Sequence, residues 1–165
     1  MKKPLRNYAF IDSQNLHLGV QEQGWQLDYR RFRTYLQKKY GVGKAYLFFG
    51  YLKNEEGMYQ AFKSYGYELI FKPVIQSHRH DVKGNIDAEL VLQAMIDYPE
   101  YERAVIITGD GDFHCLVKYL KNQGKLLRLL VPNRRKCSVL LRGKTIPDVP
   151  LSFIDDLQQR LEYKK

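Results

Sequence analysis

The sequence predicts an α/β fold in which a mostly parallel sheet of five or six strands carries helices on both faces. Apolar runs of strand length alternate along the chain with segments of helical periodicity, which is the pattern of parallel strands joined by helices. Two of these runs lead into aspartate, residues 8–11 directly and residues 104–107 after Thr108-Gly109, as buried strands do when they deliver a carboxylate to the edge of a sheet. The chain has 165 residues, and we expect a single domain over residues 1–165.

The individual elements follow from periodicity and from the residues that begin and end helices. Asp28 is a good N-cap for a helix, and Gly41 lies just beyond its predicted end. Phe113, Leu116, Val117 and Leu120 fall at i, i+3, i+4 and i+7, which predicts a helix with one buried face. The predicted strands are 8–11, 45–49, 68–74, 104–107 and 126–131, and the predicted helices are 15–20, 28–40, 55–65, 86–96, one from 113 onwards, and a C-terminal helix with Phe153, Ile154, Leu157 and Leu161 on one face. The basic segment 133–149 is the least regular part of the chain.

Composition limits the classes of function. Lys and Arg number 27 against 18 Asp and Glu, a net charge of +9, which favours a polyanionic partner such as nucleic acid over a merely solvated basic surface. The two cysteines, Cys115 and Cys137, lack the spacing of a disulfide framework or a zinc site. The first apolar run, from Tyr8 to Ile11, is too short for a signal peptide, and no run has the length of a membrane span. We therefore expect a cytoplasmic protein without a membrane partner.

Acidic residues recur where strands end or helices begin. Asp12 ends the first apolar run, Asp110 and Asp112 flank Gly111 after the fourth, and Asp87 opens the helix at 86–96. In a doubly wound sheet these places converge in a crevice beyond the carboxyl ends of the strands. Clustered carboxylates repel one another, and a divalent cation relieves that repulsion. The pattern indicates an acidic, metal-binding site.

Each acid also has a structural explanation when it is taken alone. Asp12 and Asp112 are ordinary N-cap residues, and Asp87 is favoured by the dipole of the helix that follows it. Capping accounts for single residues but not for the coincidence of all of them at one predicted edge.

Three motifs together resemble the NYN domain, a branch of the PIN-like metal-dependent ribonucleases, and especially its bacterial LabA-like members. They are Asp12 with Asn15, Lys83 with Asp87 in Lys-Gly-Asn-Ile-Asp, and Thr-Gly-Asp-Gly-Asp-Phe at 108–113. Each motif is weak alone, but their order and spacing are specific, and the resemblance runs from about Tyr8 to Val131. It implies a Rossmann-like (PIN-like) fold, Mg²⁺ or Mn²⁺ as cofactor, and hydrolysis of RNA phosphodiesters. The catalytic and metal-binding residues that it implies are Asp12, Asp87, Asp110 and Asp112, with Asn15 as polar support.

The sequence departs from the family pattern at two places. Ser13-Gln14 replaces the glycine-containing linker that commonly follows the first aspartate, and Gly111 stands where serine is frequent. Neither change removes a carboxylate.

The chemistry of the residues fits this interpretation independently of the resemblance. Metal ions held by carboxylates supply an attacking hydroxide and stabilise the leaving oxygen, so no Ser, Cys or His nucleophile is needed. Two predicted basic loops, at 77–84 and 133–136, should border the acids. Their basic side chains are expected to hold the phosphates of the substrate. The expected substrate-binding residues are Asn15, Arg79, Lys83, Arg134 and Arg135. The expected partner is RNA, with single strands favoured, and a homodimer is left open.

Two other classes of function compete with a nuclease. A non-catalytic RNA-binding or regulatory protein on the same scaffold would keep the acids as a structural metal site. A haloacid-dehalogenase-like phosphatase needs a second acid two residues after Asp12, where this chain has Gln14, and it ranks last.

Overall fold

The computed structural model of the protein describes residues 5–50, 54–72 and 86–165. The strands are β1 (Asn7–Asp12), β2 (Val42–Gly50), β3 (Tyr67–Lys72), β4 (Ala104–Ile107), β5 (Leu126–Val131) and β6 (Leu151–Phe153). The helices are α1 (Ser13–Gln21), α2 (Tyr29–Tyr40), α3 (Glu56–Ser64), α4 (Asp87–Ile96), α5 (His114–Asn122) and α6 (Gln158–Leu161). Short 3₁₀ turns occupy Gly111–Phe113, Arg134–Lys136, Val139–Leu141 and Ile154–Leu157.

The six strands form one sheet in the order β3-β2-β1-β4-β5-β6, and every neighbouring pair among them is parallel. This confirms the predicted α/β class. It is the strand order of a Rossmann-type sheet, in which the chain builds outward from β1 to one side and then resumes beside β1 with β4. The topological switch point lies between β1 and β4, so a crevice opens at their carboxyl ends.

Both faces of the sheet are buried because its strands are apolar on both sides. On β1, Ala9 and Ile11 belong to one core cluster and Phe10 to the other, as the alternation of side chains along a strand requires. Helices α1, α2, α3 and α6 contribute to the first cluster, and α4 and α5 contribute to the second. All four residues of β4 are fully buried, which is typical of a central parallel strand.

Helix α2 illustrates how local sequence sets the element boundaries. The Asp28 side chain accepts a hydrogen bond from the backbone N–H of Arg31, and Gly41 ends the helix with φ 64°, a conformation that favours glycine. Arg33, within the helix, is buried and donates to the carbonyl oxygens of Gly66, Val42 and Gly43. The helix is therefore fastened to the amino ends of β2 and β3.

Two regions differ from the sequence prediction. Phe153 ends a sixth strand and does not lie on the face of a helix; the tail is helical only from the 3₁₀ turn at Ile154 through α6. Pairing with β5 provides the hydrogen bonds that make this three-residue segment a strand. β3 ends at Lys72, and the predicted strand residues 73 and 74 lie outside the described part of the chain.

Candidate metal centre

A cleft of about 520 Å³ lies at the carboxyl ends of β1 and β4, at the switch point of the sheet. It is lined by Asp12, Gln14, Asn15, Leu18, Gly19, Glu22, Ile86, Asp87, Gly109, Asp110, Asp112, Asn133 and Lys136. Five of these side chains are acidic and one is basic, so the described wall of the cleft is strongly electronegative. A cleft of this charge concentrates cations.

Three of the four predicted aspartates come together in this cleft. Carboxylate oxygens of Asp87, Asp110 and Asp112 all lie within 4.8 Å of one another. Asp87 is the first residue of α4, whereas Asp110 and Asp112 follow β4 on the turn that leads into α5. The Oδ1 of Asp110 accepts a hydrogen bond of 2.9 Å from the backbone N–H of Asp112, which fixes the turn.

Asp12 lines the same cleft but lies deeper, and its carboxylate is not a member of this group of three. The residue is 6% exposed. Its Oδ1 accepts from the backbone N–H of Asn15 at 3.3 Å, so it does cap α1. Its Oδ2 accepts from the hydroxyl of Thr108 at 3.0 Å.

Thr108 and Asn15 join the two strand ends that form the cleft. Thr108 is fully buried, donates to Asp12, and accepts a hydrogen bond of 3.1 Å from the backbone N–H of Asp110. Asn15 accepts a hydrogen bond of 2.8 Å from the backbone N–H of Gly109 through its side-chain oxygen. The positions of Asp12 and Asp110 are therefore coupled through neutral side chains on both sides.

Burial raises the pKa of Asp12 from its usual 3.8 to about 6, although the hydrogen bonds from Asn15 and Thr108 oppose the shift. The negative charges of Asp87 and Asp110 raise the pKa further. Without a cation, Asp87 and Asp110 thus destabilise the charged form of Asp12.

The donor set fits a hard divalent cation. Mg²⁺ takes oxygen ligands at about 2.0–2.1 Å, so opposite ligands of one ion are separated by roughly 4.2 Å. The 4.8 Å limit that encloses the three carboxylates is close to this value, and Asp112 is the exposed member of the three. Asp87, Asp110 and Asp112 are suitable direct ligands, with Asp12 as a deeper fourth carboxylate.

The predicted basic residues are placed differently from one another. The Arg134 guanidinium lies 2.9 Å from both carboxylate oxygens of Asp156 and stacks 4.2 Å from the centre of the Phe153 ring. Arg135 is exposed and does not line the cleft. Arg79 and Lys83 lie outside the described residues.

Two residues near the acids had no separate role in the sequence analysis, one on the wall of the cleft and one fully buried beside Asp12. Lys136 is the one basic side chain on the described wall of the cleft, and its Nζ lies 4.0 Å from a carboxylate oxygen of Glu22. Thr108 stands within the motif at 108–113, and a polar residue at the end of a wholly apolar strand is the signal that could have identified it.

Comparison with known proteins shows the family of the chain. The family model of the NYN domain matches residues 7–142, which is most of the chain. The chain belongs to the NYN domain family. A curated relative is the low amplitude and bright protein LabA of Synechococcus elongatus, 28% identical over 129 residues that cover 72% of this chain and 69% of the relative.

A solved structure extends the likeness to three dimensions. The crystal structure of a protein of unknown function from Vibrio parahaemolyticus superposes with a TM-score of 0.79 at 22% identity, covering 99% of this chain and 100% of the other. At this identity the match supports the PIN-like fold alone.

Among the described residues, no helix is both long and apolar enough to cross a bilayer.

Proposed function

We propose that this NYN-domain protein is a divalent-metal-dependent ribonuclease that hydrolyses RNA phosphodiesters in the acidic cleft. The observation that supports this most directly is the grouping of Asp87, Asp110 and Asp112 within 4.8 Å at the switch point of the sheet. These three carboxylates and Asp12 would hold Mg²⁺ or Mn²⁺. When bound, the cation activates water and neutralises charge that develops on the phosphate during hydrolysis.

The protein's own side chains supply the preorganisation. The side chain of Asp110 is held on its turn because its Oδ1 accepts a hydrogen bond from the backbone N–H of Asp112. Asp12 is held from two sides by Asn15 and Thr108, so its carboxylate has a fixed position at the bottom of the cleft. A rigid arrangement of this kind reduces the reorganisation that catalysis requires.

Substrate binding needs positive charge around the acidic floor. Lys136 lines the cleft and provides one such charge. Its Nζ lies 4.0 Å from a carboxylate oxygen of Glu22, which also lines the cleft. We propose Asn15, Arg79, Lys83, Arg134 and Arg135 as the further substrate-binding residues. Arg134 reaches a phosphate only by leaving Asp156, so its contribution should be weaker than that of Lys136.

The decisive experiment is cleavage of end-labelled single-stranded RNA by the purified protein with Mn²⁺, with Mg²⁺, and with chelator. We expect metal-dependent cleavage that chelator abolishes. Asp110→Asn and Asp112→Asn should each lower the rate by at least about a hundredfold, because each removes a charged ligand while keeping the shape of the side chain.

The matched control is Asp148→Asn. Asp148 is exposed, does not line the cleft, and has φ 56°, a conformation that asparagine tolerates equally well. This variant should cleave RNA at the unchanged rate. Metal-dependent stabilisation and RNA binding without cleavage by the unaltered protein would refute catalysis and indicate a non-catalytic RNA-binding protein.

A further inference from the structure

A second groove, of about 510 Å³, lies between α2 and α6, and none of the described residues lines both this groove and the acidic cleft. Its described wall carries five basic side chains and no acidic one. The basic residues are Arg30, Arg31, Lys38, Lys39 and Arg160. Its charge is therefore opposite to that of the acidic cleft, and the proposed nuclease chemistry makes no use of it.

The charge comes chiefly from α2, whose twelve residues include five Lys or Arg and no Asp or Glu. Arg30, Thr34 and Lys38 are spaced one turn apart, as are Arg31, Tyr35 and Lys39. The two rows form a basic ladder that runs about 12 Å along the helix at a rise of about 1.5 Å per residue.

Helix stability does not explain this arrangement. Lys38 and Lys39 in the last turn are favoured by the helix dipole, but Arg30 and Arg31 stand in the first turn, where the dipole disfavours positive charge. Asp28 compensates in part, since its carboxylate lies 3.5 Å from Arg31. An unfavourable concentration of charge on a stable scaffold is typical of a binding surface.

Most of these cations are available to a ligand. Within the described ranges, Arg30, Lys38, Lys39 and Arg160 have no ion-pair partner within 4.0 Å, and all four are exposed. Arg160 stacks 5.6 Å from the Tyr35 ring, a contact that orients the guanidinium and leaves its charge in place.

Other side chains near the cations of this groove suit a ligand that carries phosphates and bases. Arg128 lies close enough to Tyr35 to interact with it electrostatically, so a further cation stands near this wall of the groove. Tyr35 provides a half-buried ring on the wall, whereas the hydroxyl of the exposed Thr34 already donates to the carbonyl oxygen of Arg30. Basic grooves with an aromatic side chain are characteristic of surfaces that bind single-stranded nucleic acid.

We propose that the α2–α6 groove is a second nucleic-acid site, which holds the sugar–phosphate backbone of single-stranded RNA outside the acidic cleft. An anionic membrane surface fits less well. Membrane-binding helices expose an apolar face beside their cations, whereas the apolar face of α2, formed by Phe32, Leu36 and Tyr40, is buried in the core.

The test is equilibrium binding of a fluorescently labelled single-stranded RNA, measured by anisotropy in chelator across a salt titration. The groove variant combines Arg30→Gln, Lys38→Gln, Lys39→Gln and Arg160→Gln. The control variant combines Lys63→Gln, Arg103→Gln, Lys118→Gln and Lys121→Gln, which removes the same charge from sites that line neither cavity. Because the two variants have the same net charge, a difference in their RNA affinity reports a local binding site and not long-range electrostatic attraction.

We expect the groove variant to bind RNA about tenfold more weakly than the control variant at moderate salt. Its plot of log affinity against log salt should become shallower by about 0.7 for each lost phosphate contact. Equal losses in the two variants would overturn the proposal. Loss of binding to phosphatidylserine vesicles, with RNA affinity equal to that of the control, would overturn it in favour of a membrane surface.

Folding is checked for each variant by circular dichroism. If the fourfold groove variant does not fold, the double variant Lys38→Gln/Lys39→Gln is compared with Lys118→Gln/Lys121→Gln, and equal RNA affinity of the two pairs would again refute the groove. Binding is measured in chelator, where no metal-dependent cleavage occurs, and cleavage is measured separately with Mn²⁺ or Mg²⁺. Weaker RNA binding by the groove variant, together with no cleavage by the unaltered protein in either metal, would refute the proposed ribonuclease and leave this site standing.

Discussion

Replacing Asp12 by asparagine should stabilise the metal-free protein at neutral pH. Folding raises the pKa of Asp12 from 3.8 to about 6, chiefly by burial. Between these two pH values the folded state keeps a proton that the unfolded chain releases, so stability falls as the pH rises. The destabilisation is absent below about pH 3.8, grows up to about pH 6, and is complete above it. Asparagine cannot ionise, so the Asp12→Asn protein avoids this destabilisation.

The structure sets the size of the effect. A shift of about 2 pKa units corresponds to an upper limit of about 3 kcal/mol at pH 7 to 8. Asparagine has one acceptor oxygen where Asp12 has two, so the hydroxyl of Thr108 loses its present acceptor, at a cost of about 1 kcal/mol. We expect a net increase of about 1–2 kcal/mol in the free energy of unfolding at pH 7.5. Near pH 4 the gain from removing the charge should vanish, so the lost hydrogen bond should leave Asp12→Asn less stable than the unaltered protein by about 1 kcal/mol.

The measurement is urea denaturation in chelator, followed by far-ultraviolet circular dichroism from pH 4 to pH 8. Asp148→Asn is the control, and its effect should be small and independent of pH because the side chain is exposed. The burial argument for Asp12 would be refuted if Asp12→Asn changed stability by the same amount at every pH.

Three further substitutions test other parts of the site. Asp110→Asn should raise the thermal midpoint in chelator, because it relieves carboxylate repulsion. In scanning fluorimetry it should also abolish the increase in midpoint that Mn²⁺ gives the unaltered protein. If Mn²⁺ still raised the midpoint of the variant, Asp110 would be excluded as a ligand. Lys136→Gln should weaken RNA binding several-fold and make the salt slope shallower by about 0.7, whereas an unchanged slope would remove Lys136 from the substrate path. Gly111→Ala should cost about 1–3 kcal/mol in urea denaturation, because a Cβ at Gly111 would overlap the Ser138 side chain; Ser138→Gly in the same chain should restore part of that loss, and no restoration would place the strain elsewhere.

The contact at Gly111 also gives a physical reason for one departure from the family pattern. The 3₁₀ turn that begins at Val139 packs Ser138 directly against Gly111, so a serine side chain at position 111 would collide with it. Glycine at 111 is therefore matched to the local packing of this chain. The substitution leaves Asp110 and Asp112 in place on either side.

Local sequence was sufficient for much of the fold and for the approximate position of the site. The wholly apolar β4 followed by Thr108-Gly109-Asp110 can only be a buried strand that ends in polar residues, and β1 with Asp12 repeats the pattern. Asp28 and Gly41 fixed α2 because capping depends on residues adjacent in the chain. Alternation of strands and helices then predicted a parallel sheet, whose carboxyl edge gathers the aspartates.

Other features depend on residues that are distant in the sequence. Phe153 has helical spacing with the apolar residues after it, yet pairing with β5 makes it part of a strand. Arg134 and Lys136 are near neighbours in one basic segment. Arg134 contacts Asp156 and Phe153 and does not line the cleft, whereas Lys136 does. Local sequence does not distinguish between them.

The amino-acid sequence by itself determined which acids lie at the edge of the sheet, because strand periodicity and chain order decide where each strand ends. Tertiary structure alone decided which acids approach one another and how deeply each is buried. Asp12 and its hydrogen-bond partner Thr108 are 96 residues apart, and only the pairing of β1 with β4 brings them into contact. Burial and long-range contacts set the charge and position of a carboxylate, and neither is a property of the residues beside it in the chain.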